Sequence, residues 1–177
     1  MVTHDAATLV RTVYSLYNAH QTDADWLDKT SMLVSENCES LNAQTGHRRR
    51  GKEGFKQRLL NWSTAFPESS NEITNIIATN DQAAVEFISR GTHSGVLHTL
   101  KGDIQPTNRK IELRCCDVYR ISNNEIVTLH SYYDPLGLQE QLGLTPAPQA
   151  QAGEPAPQAQ AGEPAPQAQA GEPAPQE

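Results

Sequence analysis

The chain of 177 residues has no apolar run near the ~20 residues that span a bilayer. Its first residues also lack the basic-then-apolar order of a secretory signal. The expectation is a soluble, cytoplasmic protein with no membrane partner. Cysteine is scarce. Only Cys38, Cys115 and Cys116 occur, an odd number, and the adjacent pair would point to opposite faces of a strand. That pattern speaks against a disulfide framework and for small, reduced, buried residues. An excess of positive charge is missing too. The net charge is −7, and setting aside Glu154, Glu163, Glu172 and Glu177 leaves 17 acids against 14 bases. A nearly balanced chain gives no electrostatic case for nucleic acid as a partner. The run His47-Arg48-Arg49-Arg50-Gly51-Lys52 is one short basic turn without interleaved aromatics, and its glycine does not match a phosphate-binding loop. It reads as a solvated loop leading into a helix.

What is present is organised around residues 110–134. Two arms rich in β-branched and aromatic residues, KIELRCCDVYRI and IVTLHSYYD, flank Asn123-Asn124, a dipeptide suited to the positive φ angles of a two-residue hairpin turn. If those asparagines are the loop, unbroken alternation pairs Ile121 with Ile126, Tyr119 with Thr128, Asp117 with His130, Cys115 with Tyr132 and Leu113 with Asp134. Opposed residues share a face. One face would then carry Asp117, His130, Tyr132 and Asp134 among apolar neighbours. Burying such groups unpaired costs roughly 1 to 3 kcal/mol for a neutral group and more for a charge. A pocket that uses them is the simplest reason for their presence.

The remainder frames that hairpin. From Thr3 to about His20, Ala6, Leu9, Val10, Val13, Leu16 and Tyr17 recur at spacings of three and four, which predicts a helix capped by Thr3 or Asp5. Tyr14 and Tyr17 could present hydroxyls to a pocket. A shorter helix is expected around Ala24 to Val34, with Asp23 as its cap. After the basic run, Phe55, Leu59, Trp62 and Phe66 form another stripe that ends at Pro67 and should close the mouth of the sheet. Two extended segments follow from Glu72, joined at Asn80-Asp81, with Val85, Phe87, Gly91 and His93 of one parity. Residues 99–108 read as a rim loop, and Pro135-Leu-Gly-Leu opens a short terminal helix ending near Leu144. Helices first and antiparallel strands afterwards argue an α+β fold. This domain covers residues 1–144. Beyond it, the nonapeptide APQAQAGEP starts at Ala147, Ala156 and Ala165, and a truncated APQE ends the chain. A unit with no large apolar side chain cannot offset ~1 to 2 kcal/mol of ordering per residue, so residues 145–177 are expected to form a disordered tail.

The segments FPESSNEI, RGTHSG, IQPTNRKIELRCCDVYRI and HSYYDPLGLQEQLGL together resemble the SnoaL-like family of polyketide cyclases, among folds similar to nuclear transport factor 2 and ketosteroid isomerase. The likeness covers most of residues 5–144. It implies a cone-shaped barrel, with N-terminal helices packed on a strongly curved antiparallel sheet, often a homodimer through the outer sheet face. It also implies cyclisation by intramolecular aldol condensation with no cofactor and no metal, an aspartate serving as acid and base. The matching residue is Asp134, with Asp117 as the rival.

Removing a proton beside a carbonyl needs a base near the carbon and a donor aimed at the developing oxyanion. Asp134 would be the base and Tyr132 or His130 the donor, with Asp117 orienting the imidazole. Tyr17, Trp62, Phe87, His93, Cys115 and Tyr119 are the residues expected to touch a hydrophobic small-molecule substrate. In the opposing reading Asp117 and His130 are a self-satisfied buried pair, Asp134 caps the terminal helix, and the domain is a non-catalytic binding or interaction module. Metal binding by His93, His98 and His130 matches no ligand spacing. Epoxide hydrolysis would want an arginine between two aspartates, and Arg114 and Arg120 fall on the other face of the hairpin.

Overall fold

The computed structural model describes residues 5–144, which lie within one unit, Met1–Thr145. The repeat tail therefore falls outside the described residues.

Helix α1, Ala6–Asn18, is capped by Asp5, whose side chain accepts from the Thr8 N–H at 2.6 Å, and it buries Ala6, Leu9, Val10, Val13, Tyr14 and Tyr17. Helix α2 is only Trp26–Ser31. Asp23 sits ahead of it, accepting from the Asp25 N–H and pairing with Lys29. Strand β1, Val34–Asn42, pairs with the short β2, Arg48–Arg50, so the three arginines of the basic run form a strand rather than a loop. Arg50 faces Glu39 across this pair and Arg48, opposite Leu41, reaches the same carboxylate, a local use for the positive charge. Helix α3, Gly51–Ala65, follows directly, opened by Gly51 at φ +71°. Strands β3, Ser70–Ala78, and β4, Gln82–Thr92, form a hairpin, as do the short β5, Leu97–Thr99, and β6, Gly102–Ile104, where an irregular rim loop was expected. Strands β7, Lys110–Ser122, and β8, Glu125–Tyr133, make the central hairpin, and α4, Pro135–Leu142, closes the described chain.

The fold is α+β, with N-terminal helices against a large curved sheet. Strand order is β2-β1-β8-β7-β4-β3. All neighbours are antiparallel except β1 and β8, which run parallel, so the sheet is mixed at that one junction. The inner face meets α1 and α3 over a core that includes Val10, Val34, Phe55, Val85, Ile126 and Leu129. A second cluster, with Phe66, Leu113, Leu138 and Leu142, seats α4.

The turn forms where expected. Asn123 and Asn124 adopt φ of 51° and 65°, and Ser122 faces Glu125. The pairing beyond it departs from unbroken alternation. Ile121 faces Ile126, but Arg120 faces Thr128, so Val127 is an extra residue in β8. Such a bulge shifts all later residues by one place and exchanges their faces. Asp117 consequently faces Ser131, Val118 faces His130, Cys116 faces Tyr132 and Cys115 faces Tyr133.

Candidate active site

Between the inner sheet face, α1, α3 and the β5–β6 hairpin lies a cavity of about 820 Å³. Its size and mixed lining suit a small-molecule site. Helix α1 contributes Val13, Tyr14 and Tyr17, and α3 contributes Arg58, Leu59, Asn61 and Trp62. The sheet supplies Phe87, Ser89, Leu113, Cys115, Asp117, Tyr119 and Ser131, and β5–β6 forms one rim. Asn61 ties that rim to α3: its amide donates to the His98 carbonyl at 2.9 Å and accepts from the His98 N–H at 3.1 Å.

Asp117 is the acidic centre of the cavity. It is 4 % exposed, and its Oδ2 accepts from the Tyr14 hydroxyl at 3.1 Å and the Tyr119 hydroxyl at 3.2 Å. The Arg58 guanidinium stands 3.5 Å from the same oxygen and donates to the Ser131 hydroxyl. All three contacts converge on Oδ2, which leaves Oδ1 unengaged by them. A carboxylate held by charge-assisted donors is fixed in orientation as well as in charge.

The neighbouring groups respond in directions that follow from burial and charge. Burial, reinforced by the Asp117 charge, lifts the Tyr14 and Tyr119 hydroxyls well above the ordinary phenol range, so both stay protonated donors. Tyr17 is pushed up to about 12, mainly by burial, and shares a 2.7 Å hydrogen bond with the Ser69 hydroxyl. Burial and then Asp117 push the Cys115 thiol up to about 12. Lost hydration is the largest single influence on Arg58 and lowers its pKa, but the Asp117 carboxylate, joined by Tyr119, Tyr14 and Cys115, holds it above the usual value.

The expected residues divide. Asp117, Tyr17, Trp62, Phe87, Cys115 and Tyr119 line the cavity. The bulge turns His130 away from it: the imidazole is half-buried on the opposite face, opposite Val118 and Leu41, so the expected Asp117–His130 pair does not form. Tyr132 shifts with it and is 42 % exposed, although it still contributes to the lining. Asp134 is exposed and caps α4, its Oδ1 accepting from the Leu136 N–H at 2.9 Å. Asp134 therefore holds a helix N-terminus, as the opposing reading anticipated. His93 is fully buried away from the lining, where Nδ1 accepts from the Thr107 N–H at 3.2 Å and the ring packs 5.2 Å from Phe66. Among the described residues no group of three or more His, Cys, Asp or Glu side chains is placed to hold a metal ion.

Arg58, Tyr14 as a partner of Asp117, and Ser131 are what sequence reasoning missed. For Arg58 a signal existed. At three residues beyond Phe55 and four before Trp62 it sits on the apolar stripe of α3, where a lone arginine needs a buried counter-charge.

The helix-on-curved-sheet architecture and the cavity it holds define a domain of the class typified by nuclear transport factor 2 and ketosteroid isomerase. The chain belongs to the family of SnoaL-like polyketide cyclases, whose model matches residues 7–142. Among solved structures it is similar to a SnoaL-like candidate polyketide cyclase from Jannaschia sp. CCS1 (15% identity, 78% of this chain and 93% of that one, TM-score 0.65). It is also similar to IdmH, a candidate polyketide cyclase from Streptomyces antibioticus (22% identity, 79% and 99%, TM-score 0.62). A third is a protein of ketosteroid isomerase-like fold from Catenulispora acidiphila, in complex with trimethylamine (15% identity, 75% and 93%, TM-score 0.59). Among curated protein sequences none matches. The family supports a function of cyclase or isomerase type. No helix among the described residues is long and apolar enough to cross a membrane.

Proposed function

We propose that this domain is a cofactor-independent enzyme that performs acid–base chemistry on a hydrophobic, polyketide-like carbonyl compound, with Asp117 as the base. The observation that carries the reading is the buried Asp117 carboxylate in the cavity wall, its Oδ2 held by Tyr14, Tyr119 and Arg58. With Oδ2 fixed, Oδ1 is the atom that takes a proton from the carbon next to a bound carbonyl. Arg58 is the oxyanion partner. While Asp117 is charged, the guanidinium pairs with it; once Asp117 gains the proton, the same positive charge is released to the enolate oxygen a few ångströms away. The charge moves without a new ion being created in a poorly solvated site, which is where fixed electrostatics help most. In an aldol ring closure the enolate carbon then bonds to a second carbonyl carbon of the same molecule. The proton held by Asp117 returns to the resulting alkoxide, so atoms and charge balance.

The test is turnover of polycyclic ketones bearing a second carbonyl, compared between the wild type and Asp117→Asn. A general base contributes on the order of 10² to 10⁴ in rate. Asp117→Asn should lose at least a hundredfold in kcat while still binding the compound. Retained turnover would remove Asp117 from the chemistry and favour a binding module that keeps the cavity alone. The outer sheet face is the proposed surface for a homodimer, to be tested by sedimentation.

A further inference from the structure

A second group of polar atoms lies in the same cavity, away from Asp117. Asn71 of β3 and Ser89 of β4 face each other across the β3–β4 pair, and both line the cavity. Ser89 is 2 % exposed. The Ser89 Oγ and the Asn71 Oδ1 are buried and find no hydrogen-bond partner in the chain, which few buried polar atoms in a folded protein tolerate. The Asn71 main chain is engaged: its N–H donates to Asn18 Oδ1 and its carbonyl accepts from Asn18 Nδ2. What is left open is the hydrogen-bonding capacity of these two side chains, which belong to residues lining the cavity.

The sheet register fixes how far this pair stands from Asp117. Along β4, Val85 faces Asp117 and Ser89 faces Leu113, four residues further on. At roughly 3.3 Å per residue that is about 13 Å between backbone positions. A ligand that touches both ends is therefore elongated.

We propose that Asn71 and Ser89 form a second subsite that takes a neutral hydroxyl at the end of the substrate remote from the reacting carbonyl. The inference rests on the reading of the cavity as the substrate site and adds where this chain would hold a hydroxyl of an elongated substrate, about 13 Å from Asp117. The chemistry selects that group. Ser89 can donate, and Asn71 Oδ1 can only accept. One hydroxyl satisfies both, accepting from Ser89 and donating to Asn71. A ketone leaves Asn71 Oδ1 without a donor, and a carboxylate would set negative charge against that oxygen.

Estrone is a suitable probe because a rigid fused-ring skeleton separates its ketone from its phenol. Binding of estrone, and of the analogue lacking the phenolic hydroxyl, is measured by tryptophan fluorescence, since Trp62 lines the cavity. The wild type should bind estrone roughly three- to tenfold more tightly than the analogue. Ser89→Ala and Asn71→Ala should each bring that ratio towards one, with affinity for the analogue unchanged. A ratio that survives in both variants, a ratio of one in the wild type, or no binding of either probe overturns the subsite. Ser89→Ala should melt at the same temperature as the wild type or higher; a clear drop would mean that the chain already satisfies the hydroxyl, and would also overturn it. Because the readout is binding, Asp117→Asn should keep the preference. Normal turnover in Asp117→Asn with an intact hydroxyl preference would sink the acid–base reading and leave the subsite standing.

Discussion

Removing the Asp117 side chain should damage the fold in a way that two further substitutions repair. In Asp117→Ala the Tyr14 and Tyr119 hydroxyls, 4 % and 1 % exposed as residues, lose their shared acceptor. A buried donor left without a partner costs about 1 to 3 kcal/mol. The two phenols lie close enough to interact, so they can share one bond and strand one donor rather than two. Arg58 keeps Ser131 and a side-chain exposure of 27%, so its lost ion pair adds at most about 1 kcal/mol. The expected loss is roughly 1 to 4 kcal/mol, a large part of the 5 to 15 kcal/mol typical of a domain. Replacing both phenols in that background, as Tyr14→Phe/Tyr119→Phe/Asp117→Ala, removes the stranded donors, and exchanging both partners of a hydrogen bond for apolar groups is often nearly neutral. The triple variant should therefore regain about 1 to 3 kcal/mol over the single one. In the presence of Asp117 the same two Tyr→Phe changes should instead destabilise, because the buried carboxylate loses two donors. Equilibrium urea denaturation with a constant m-value reads these differences. A triple variant less stable than Asp117→Ala would refute the account of this cluster.

Other expectations are separate. Burial depresses the His93 pKa; the unfolded chain then binds the proton more readily, so stability should fall as pH drops from about 7 through the unfolded histidine value near 6.5. His93→Phe should flatten that slope, as followed by thermal melts across pH. With Cys115 pushed up to about 12, its thiolate population at pH 8 is depressed on the order of a thousandfold. Mass spectrometry after iodoacetamide treatment should find Cys115 unmodified in the native protein and alkylated in urea. Gly95→Ala should destabilise by at least ~2 kcal/mol, since an added Cβ would meet the Thr64 carbonyl oxygen at 2.0 Å. Asn123→Val should cost ~1 to 2 kcal/mol because β-branched residues resist φ of 51°; chemical denaturation reads both.

How much of this was legible depended on the range of the signal. Local chemistry carried far. The α1 stripe, the asparagine turn and the placing of Asp117, Tyr119 and Cys115 on one hairpin face all follow from period and turn preference, and the family resemblance supplied the architecture. Alternation failed at Val127, where a β-bulge carries no compositional mark. One extra residue there moved His130, Tyr132 and Asp134 off the face of Asp117, and with them most of the expected constellation. The replacement partners come from elsewhere in the chain: Tyr14 lies 103 residues from Asp117 and Arg58 lies 59. Such contacts are set by how helices dock on the sheet, which no local pattern encodes. The Asn71–Ser89 pair was illegible for the same reason, because its meaning lies in what its side chains fail to touch.

The central claim is that Asp117 moves a proton at carbon inside this cavity. It is tested most directly by proton NMR of a bound polycyclic ketone in deuterated water, following exchange of the hydrogen next to the carbonyl. The account predicts catalysed exchange by the wild type, and exchange at the buffer rate with Asp117→Asn although the ketone still binds. Exchange undiminished in Asp117→Asn would contradict it.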